Sequence, residues 1–340
     1  MKATSAFYWR DRYLWRPTAR ASKSLATVGA VGAVAIVYYL AARLGLVLLS
    51  EPSDVAVFWP ASGIAAGILI ISGRRAYPAL VIGVVVGTVA ANIMSDRSFL
   101  TALFKGFCNA GEAVLTAWLL ERWFARPFRF ANLRRVVGFL AAAVLATAAS
   151  ATGGAATMTL LHTAAPYWDV WCAWLLSDWV GIVVVAPLVI GLGEIWREPP
   201  SLGEWTEGVG VLTLSALVSY YTVSHESGSW VSFSPGVLVL PLLLWLTARC
   251  SPAFGTAGAF IASAAVILAT TFGVGRFGDA AVPIMARVRG AQAATTTVTL
   301  YTLILIALFA QRKEVEEELR ESEGQLAKKS AALARLHEVG

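Results

Sequence analysis

Long apolar runs recur along the whole chain, separated by short polar connections. Each run is close to or above the roughly 20 residues that an α-helix needs to cross a bilayer. One run is short, and a Gly153-Gly154 pair interrupts another, so the pattern predicts an all-α, polytopic transmembrane helical bundle of about eight to ten spans. The candidate spans are 24–49, 56–72, 76–94, 99–124, 134–162, 168–193, 207–224, 234–248, 252–273 and 290–311.

The composition agrees with a membrane protein and excludes several soluble classes. Of the 340 residues, 57% are hydrophobic and 14% are charged, and the mean hydropathy is +0.67. Average soluble domains are about 45–50% apolar and about 25% charged. These values exclude a disordered chain and a nucleic-acid module, and three cysteines are too few for a disulfide scaffold. We interpret Cys108, Cys172 and Cys250 as small buried hydrophobic residues.

The positive charges alternate between the two sides of the predicted bundle. Lys and Arg are dense in residues 1–23 and in every second connection, such as those holding Arg74 and Arg249. Because cytoplasmic loops carry this excess, we expect an even number of spans and cytoplasmic termini in a bacterial inner membrane. Arg287 and Arg289 fall on the other side, where they would meet either an anionic ligand or lipid headgroups.

The chain changes character after Leu308, where it becomes charged and favourable for helix formation. Apolar positions such as Val315, Leu319 and Leu326 follow alternating steps of four and three, which is the heptad pattern of a coiled coil. We expect a parallel dimeric coil that continues the last span, and a solvated helical tail is the alternative. The domains expected are therefore 1–23, 24–311 and 312–340.

Two apolar segments form a weak internal repeat at an offset of 175 residues. Phe58 aligns with Phe233, and Arg74 aligns with Arg249. Both segments would cross the membrane in the same direction, so a duplication would be parallel. Chance similarity between apolar sequences is the alternative.

Ionisable residues within spans carry the most functional information, because each costs about 2.5–3.5 kcal/mol at the centre of a membrane helix. Lys105, Asn109 and Glu112 have the spacing i, i+4, i+7, so they share one helical face. In the sixth span Trp174 lies one turn before Asp178. We predict these residues as the polar centre of the bundle, with either a ligand or signalling role or a structural network as its purpose.

Three further side chains are weaker candidates for a ligand site. Trp59 begins the second span and Asn92 ends the third, and together with Trp174 they are expected to line a pocket open to the outside. Arg43 in the first span needs a carboxylate partner, for which Glu112 and Asp178 are the candidates.

Signatures of catalysis and of cofactor binding are missing from the sequence. It contains no P-loop, no HExxH and no Gly-x-Ser-x-Gly motif, and its three histidines are scattered. We therefore expect no catalytic residue, no metal site and no cofactor in this chain, and no nucleic acid among its partners.

The order of several motifs resembles the MASE family, type one, of membrane-associated sensor domains. The matching elements are FWPASGIAAG at 58–67, the Asn109-x-x-Glu112 pair, WLLSDWVGIVVVAPL at 174–188 and a later SPGVLVLPLLLW. The resemblance covers about 24–311 and implies a helical input domain upstream of a histidine kinase, a diguanylate cyclase or a phosphodiesterase. Because the sequence stops at Gly340 without such a module, we expect it to be truncated.

The sequence thus predicts a sensor that relays a signal through its last span to a dimeric coil. Expected partners are membrane lipids, a second copy of the chain and a small molecule whose identity the sequence does not reveal. A solute transporter or channel is the main alternative, since buried charges and a repeat also suit alternating access. A structural hub that merely oligomerises through the coil is a third possibility.

Overall fold

The computed structural model describes residues 20–47, 49–50, 55–56, 58–162, 165–224 and 236–339. Most of the predicted basic segment 1–23 lies outside these residues, as do His225 and Phe233. The predicted domain boundaries therefore stay predictions.

Within the described residues, one α-helix corresponds to each predicted span. Two-residue strands β1 (Leu49–Ser50) and β2 (Val55–Ala56) pair antiparallel after the first helix, and 3₁₀ turns cover Arg74–Ala76 and Gly275–Gly278. The helices are α1 (Arg20–Val47), α2 (Pro60–Ser72), α3 (Tyr77–Ile93), α4 (Phe99–Trp123), α5 (Leu133–Leu161), α6 (Tyr167–Arg197), α7 (Leu202–Ser224), α8 (Gly236–Arg249), α9 (Pro252–Phe272) and α10 (Ile284–Val339).

The fold class is confirmed as an all-α polytopic bundle. Among the described helices, six are long and apolar enough to cross a membrane, namely α1, α3, α5, α6, α9 and α10. The helices α2 and α8 are apolar but short, with 13 and 14 residues. The helices α4 and α7 are long enough, but they carry more polar residues. Large apolar side chains such as Ile36, Leu40 and Leu44 face outward, as suits contact with lipid.

The predicted interruption of the fifth span at Gly153-Gly154 is wrong, because α5 is continuous through both glycines. A glycine in a helix costs only about 1 kcal/mol relative to alanine. Here the missing side chain makes room for a neighbour, since a Cβ at Gly154 would lie 2.6 Å from the ring of Trp174.

The order of helix neighbours is repeated in the two halves of the chain. In the first half α1 packs on α2 and α3, and α4 packs on both α2 and α3. In the second half α7 packs on α8 and α9, and α10 packs on both α8 and α9. Both halves contain one short helix in the same place. This arrangement favours the parallel duplication over chance similarity, while α5 and α6 lie between the two halves in sequence.

Ion pairs join the ends of helices to their neighbours in two places. The Glu121 carboxylate at the end of α4 accepts hydrogen bonds from Tyr77 and Arg74 and also pairs with Arg126. Farther along the chain, Arg249 and Glu207 form an ion pair with 2.5 Å between Nε and Oε1. These basic residues belong to the connections that the charge pattern predicts to be cytoplasmic.

Candidate functional site

The polar face predicted on α4 is present and buried. Lys105, Asn109 and Glu112 are 6%, 2% and 2% exposed. They turn toward the neighbouring helices α2, α3 and α5 instead of toward lipid. A charged group in this position is costly, so its surroundings decide what it can do.

The carboxyl groups of Glu112 on α4 and Asp178 on α6 lie next to each other in the bundle. Ser62 and Ser150 flank Glu112, and the Lys105 ammonium is within electrostatic range of Asp178. Nevertheless, neither carboxylate oxygen of Glu112 has a hydrogen bond of good geometry within the described part of the chain, and the same holds for Oδ2 of Asp178.

The net charge of this centre depends on the protonation of the two acids. Two acids face one ammonium group, so the cluster carries a net charge of about −1 if both acids are ionised. A buried surplus charge with unbonded oxygens requires a proton, a cation or a polar ligand to satisfy it. The arrangement is thus suited to a change of occupancy or of protonation.

Trp174 joins Lys105 to α5. Its ring lies 5.2 Å from the Lys105 Nζ atom, and its Nε1–H donates to Ser150 Oγ at 3.3 Å. The ring also covers Gly154, as described above. The predicted neighbourhood of Trp174 and Asp178 therefore extends over three helices, α4, α5 and α6.

Tyr38 on α1 belongs to the same cluster, although the sequence analysis did not identify it. It is fully buried, accepts a hydrogen bond from Trp59 Nε1 at 3.3 Å and lies near both acids. The sequence feature that could have identified Tyr38 is a tyrosine in the middle of an apolar run. Two adjacent tyrosines occur there, and Tyr39 instead contacts Met94, so the pattern alone did not distinguish them.

Two of the motifs that carry the family resemblance contact each other directly. The backbone N–H of Trp59 donates to the Ser177 carbonyl at 3.3 Å, where α2 begins against the middle of α6. A Cβ at Gly181 would lie 2.1 Å from the Trp59 carbonyl oxygen, and one at Gly63 would lie 2.1 Å from the Gly181 oxygen. Both glycines are needed because the two backbones approach this closely.

Asn92 lies beside the centre but is held by its own helix. Its side-chain amide donates to the Thr88 carbonyl at 2.9 Å, and Thr88 is a neighbour of Tyr38. Asn92, Trp59 and Trp174 are only 0%, 6% and 4% exposed. The structure therefore does not support the expectation that these three line a pocket open to the outside, because tight packing of α2, α3 and α6 covers them.

Two further expectations are corrected by the structure. Arg43 does not meet either acid, because its guanidinium donates to Ser95 Oγ at 2.6 Å at the end of α3. The cysteines are not uniformly buried, since Cys172 is exposed and Cys108 and Cys250 are intermediate. In a membrane helix an exposed thiol can face lipid, so an apolar sequence context did not imply burial.

The polar centre is connected to the last helix through α6. After Asp178, α6 continues toward its C-terminus with Ile182, Ala186 and Ile190. These side chains are buried in one apolar cluster with Leu303 and Ile306 of α10. A displacement of α6 would therefore be transmitted to α10 by direct packing.

These features define a class of protein. It is a helical membrane domain with a charged, buried centre and a long, continuous last helix. The model of the MASE1 family matches residues 30–313, and the chain belongs to this family of membrane sensor domains of signalling proteins. The domain is sensory and not catalytic. Comparisons with curated proteins and with solved structures returned no match.

Proposed function

We propose that this domain is the input part of a bacterial inner-membrane signalling protein with cytoplasmic termini. In this proposal the polar centre changes its protonation or its occupant. The centre is formed by Lys105, Asn109, Glu112, Asp178 and Trp174. The change moves α6 and with it α10. The output module joined to α10 would be a histidine kinase or a diguanylate cyclase.

The observation that carries the proposal is the unbalanced buried acid pair. Glu112 and Asp178 come from different helices, so neutralising their surplus charge changes how α4 and α6 attract each other. A ligand or proton bound more tightly in one arrangement shifts the population toward it, by as much as the difference in affinity.

The geometry of α10, which we call the exit helix, supports the transmission of a signal from the polar centre to the output module. The helix α10 runs without a break from Ile284 to Val339, which is about 84 Å at 1.5 Å per residue. Val315, Leu319 and Leu326 on the predicted seam are 57%, 59% and 63% exposed in the single chain. These exposed side chains favour a second copy as the partner of the coil.

The test uses α10 as the reporter, so it does not depend on the identity of the output module. The chain, with its three cysteines replaced by alanine, carries Leu319→Cys, and the rate of disulfide cross-linking between copies is measured in membranes. We expect Glu112→Gln and Asp178→Asn to change this rate about fivefold or more, which corresponds to a coupling of about 1 kcal/mol.

The matched control is Asp169→Asn, an exposed acid at the beginning of the same helix α6. It should leave the rate unchanged. If the variants of Glu112 and Asp178 fold normally and cross-link at the parental rate, the polar centre does not control α10 and the relay is wrong.

The repeated arrangement of helices favours one other function, a solute transporter or channel. This alternative predicts flux of small solutes or ions across vesicles that contain the purified protein. The sensor proposal predicts no protein-dependent flux, so the vesicle assay separates the two functions.

A further inference from the structure

A cavity lies in the second half of the bundle, between α7, α8, α9 and α10. Its volume is about 350 Å³, within the usual range of small-molecule pockets. No residue of the polar centre lines it. On α10 the lining residues extend from Ala286 to Val298, about 18 Å along the helix axis. The cavity is therefore long and narrow.

One end of the cavity holds a positive charge. Arg287 at the beginning of α10 lines it, and one terminal amino group of Arg287 donates to the Gly278 carbonyl at 2.9 Å. The Nε atom of Arg287 and the Oγ atom of Ser219 are buried without a hydrogen-bond partner among the described residues. Two orphaned polar atoms beside one cavity indicate a missing polar partner.

Apart from Arg287, Ser219 and Thr222, the residues that line the cavity are apolar, and none of them is an acid. A guanidinium group facing such a space is best satisfied by an anion, and a carboxylate matches its planar donors. The apolar part of the wall includes Val223, Val239, Ala262, Val266 and Val298.

We propose that this cavity binds a small amphipathic carboxylic acid. The carboxylate pairs with Arg287, and the whole ligand has about a dozen non-hydrogen atoms, as estimated from about 30 Å³ per water-sized unit. Such a volume suits a free acid and not the two acyl chains of a phospholipid. The site is independent of the role proposed for the polar centre, but an occupant would contact the same helix α10.

The experiment measures binding of octanoate to the full chain in nanodiscs of phosphatidylcholine. We expect saturable binding, with much weaker binding of octanamide, which lacks the charge, and of acetate, which lacks the apolar body. Arg287→Gln should raise the dissociation constant at least about tenfold, because it removes one partner of a buried charge pair. Arg289→Gln is the matched control, since Arg289 is exposed two residues later.

A second variant tests the cavity without removing charge. Gly290 lines the cavity on an exposed part of α10, and a Cβ there would meet no atom within 4 Å, so Gly290→Leu should fit the fold and narrow the cavity. We expect it to block octanoate while keeping or raising the unfolding temperature. If Gly290→Leu binds octanoate as the parent does, or if Arg287→Gln and Arg289→Gln weaken binding equally, the proposed site is wrong.

A parallel measurement in nanodiscs containing phosphatidylglycerol distinguishes the source of the anion. For a free acid, the affinity for octanoate should be the same in both membranes. Phosphatidylglycerol that competes with octanoate in the parent, but not in Arg287→Gln, would assign the site to a lipid headgroup and overturn the proposal. Absence of saturable binding in either membrane would overturn it as well.

Discussion

At the scale of residues, the interior of this domain depends on small side chains that let larger or charged ones meet. Gly63 and Gly181 bring the backbones of α2 and α6 together, and Gly154 makes room for Trp174. The polar centre is assembled on these contacts, because Trp174 lies against Lys105 and Trp59 donates a hydrogen bond to Tyr38. A methyl group at a close contact should therefore be costly, although the same change elsewhere is harmless.

Gly181→Ala should destabilise the domain. The added Cβ would lie 2.1 Å from the Trp59 carbonyl oxygen, which is backbone and cannot rotate away. Overpacking of this kind costs about 1–3 kcal/mol or more, so the midpoint of thermal unfolding should fall. Gly111→Ala on α4 is the control, because nothing lies within 4 Å of its Cβ. A Gly181→Ala protein as stable as the Gly111→Ala protein would contradict the close approach.

Lys105 and Asp178 should be energetically coupled. If both acids are ionised, removing the ammonium alone makes the net charge of the cluster more negative by one, whereas removing one acid as well returns that net charge to its original value. We expect Lys105→Met to destabilise the domain and Asp178→Asn to recover part of the loss, with a coupling of about 0.5–3 kcal/mol in a double-mutant cycle. Unfolding midpoints of the four proteins give this number, and strictly additive losses would contradict the contact.

At the scale of elements, each helix of the described chain is defined by the apolar run that predicted it, and the close contacts decide its neighbours. The helix α4 is the clearest case. Its polar face predicted burial, but the partners α2, α3 and α5 follow only from packing. The contact of α4 with α5 is close enough to be tested chemically.

Gly153→Cys should form a disulfide with Cys108. The Cβ position at 153 lies 2.9 Å from the Cys108 sulfur, so a second thiol there can reach it across the contact of α4 and α5. The other two cysteines are replaced by alanine, and intramolecular cross-linking after mild oxidation is followed by mass spectrometry. The same oxidation of a Gly210→Cys protein should give no such product, because Gly210 lies on α7 and nothing is within 4 Å of its Cβ position.

At the level of the whole molecule, the two distinctive sites lie on different sets of helices. The polar centre involves α1 to α6, and the Arg287 cavity lies among α7 to α10. Both contact α10, the first through the apolar cluster around Leu303 and the second directly. A change at either site can therefore affect α10.

The exit helix should associate with a second copy along one face. Leu319→Cys lies on the predicted seam, and Glu317→Cys lies about 200° away from Val315 on the opposite face, at 100° per residue. In a chain without other cysteines, Leu319→Cys should cross-link between copies in membranes much faster than Glu317→Cys. Equal rates would favour the solvated tail over the coil.

The sequence alone determined that the chain is a helical membrane bundle, because the cost of burying polar backbone in lipid leaves few other structures for such apolar runs. It also determined that Lys105, Asn109 and Glu112 share a face, because helical periodicity places them there. The sequence also predicted Asp178 in this centre, but the tertiary structure was needed to place it beside Glu112. The tertiary structure was likewise needed to show that Tyr38 joins them, that Arg43 does not, and that Trp59 and Trp174 are buried. Periodicity describes one helix at a time, whereas these contacts depend on which helices approach and how closely their glycines allow it.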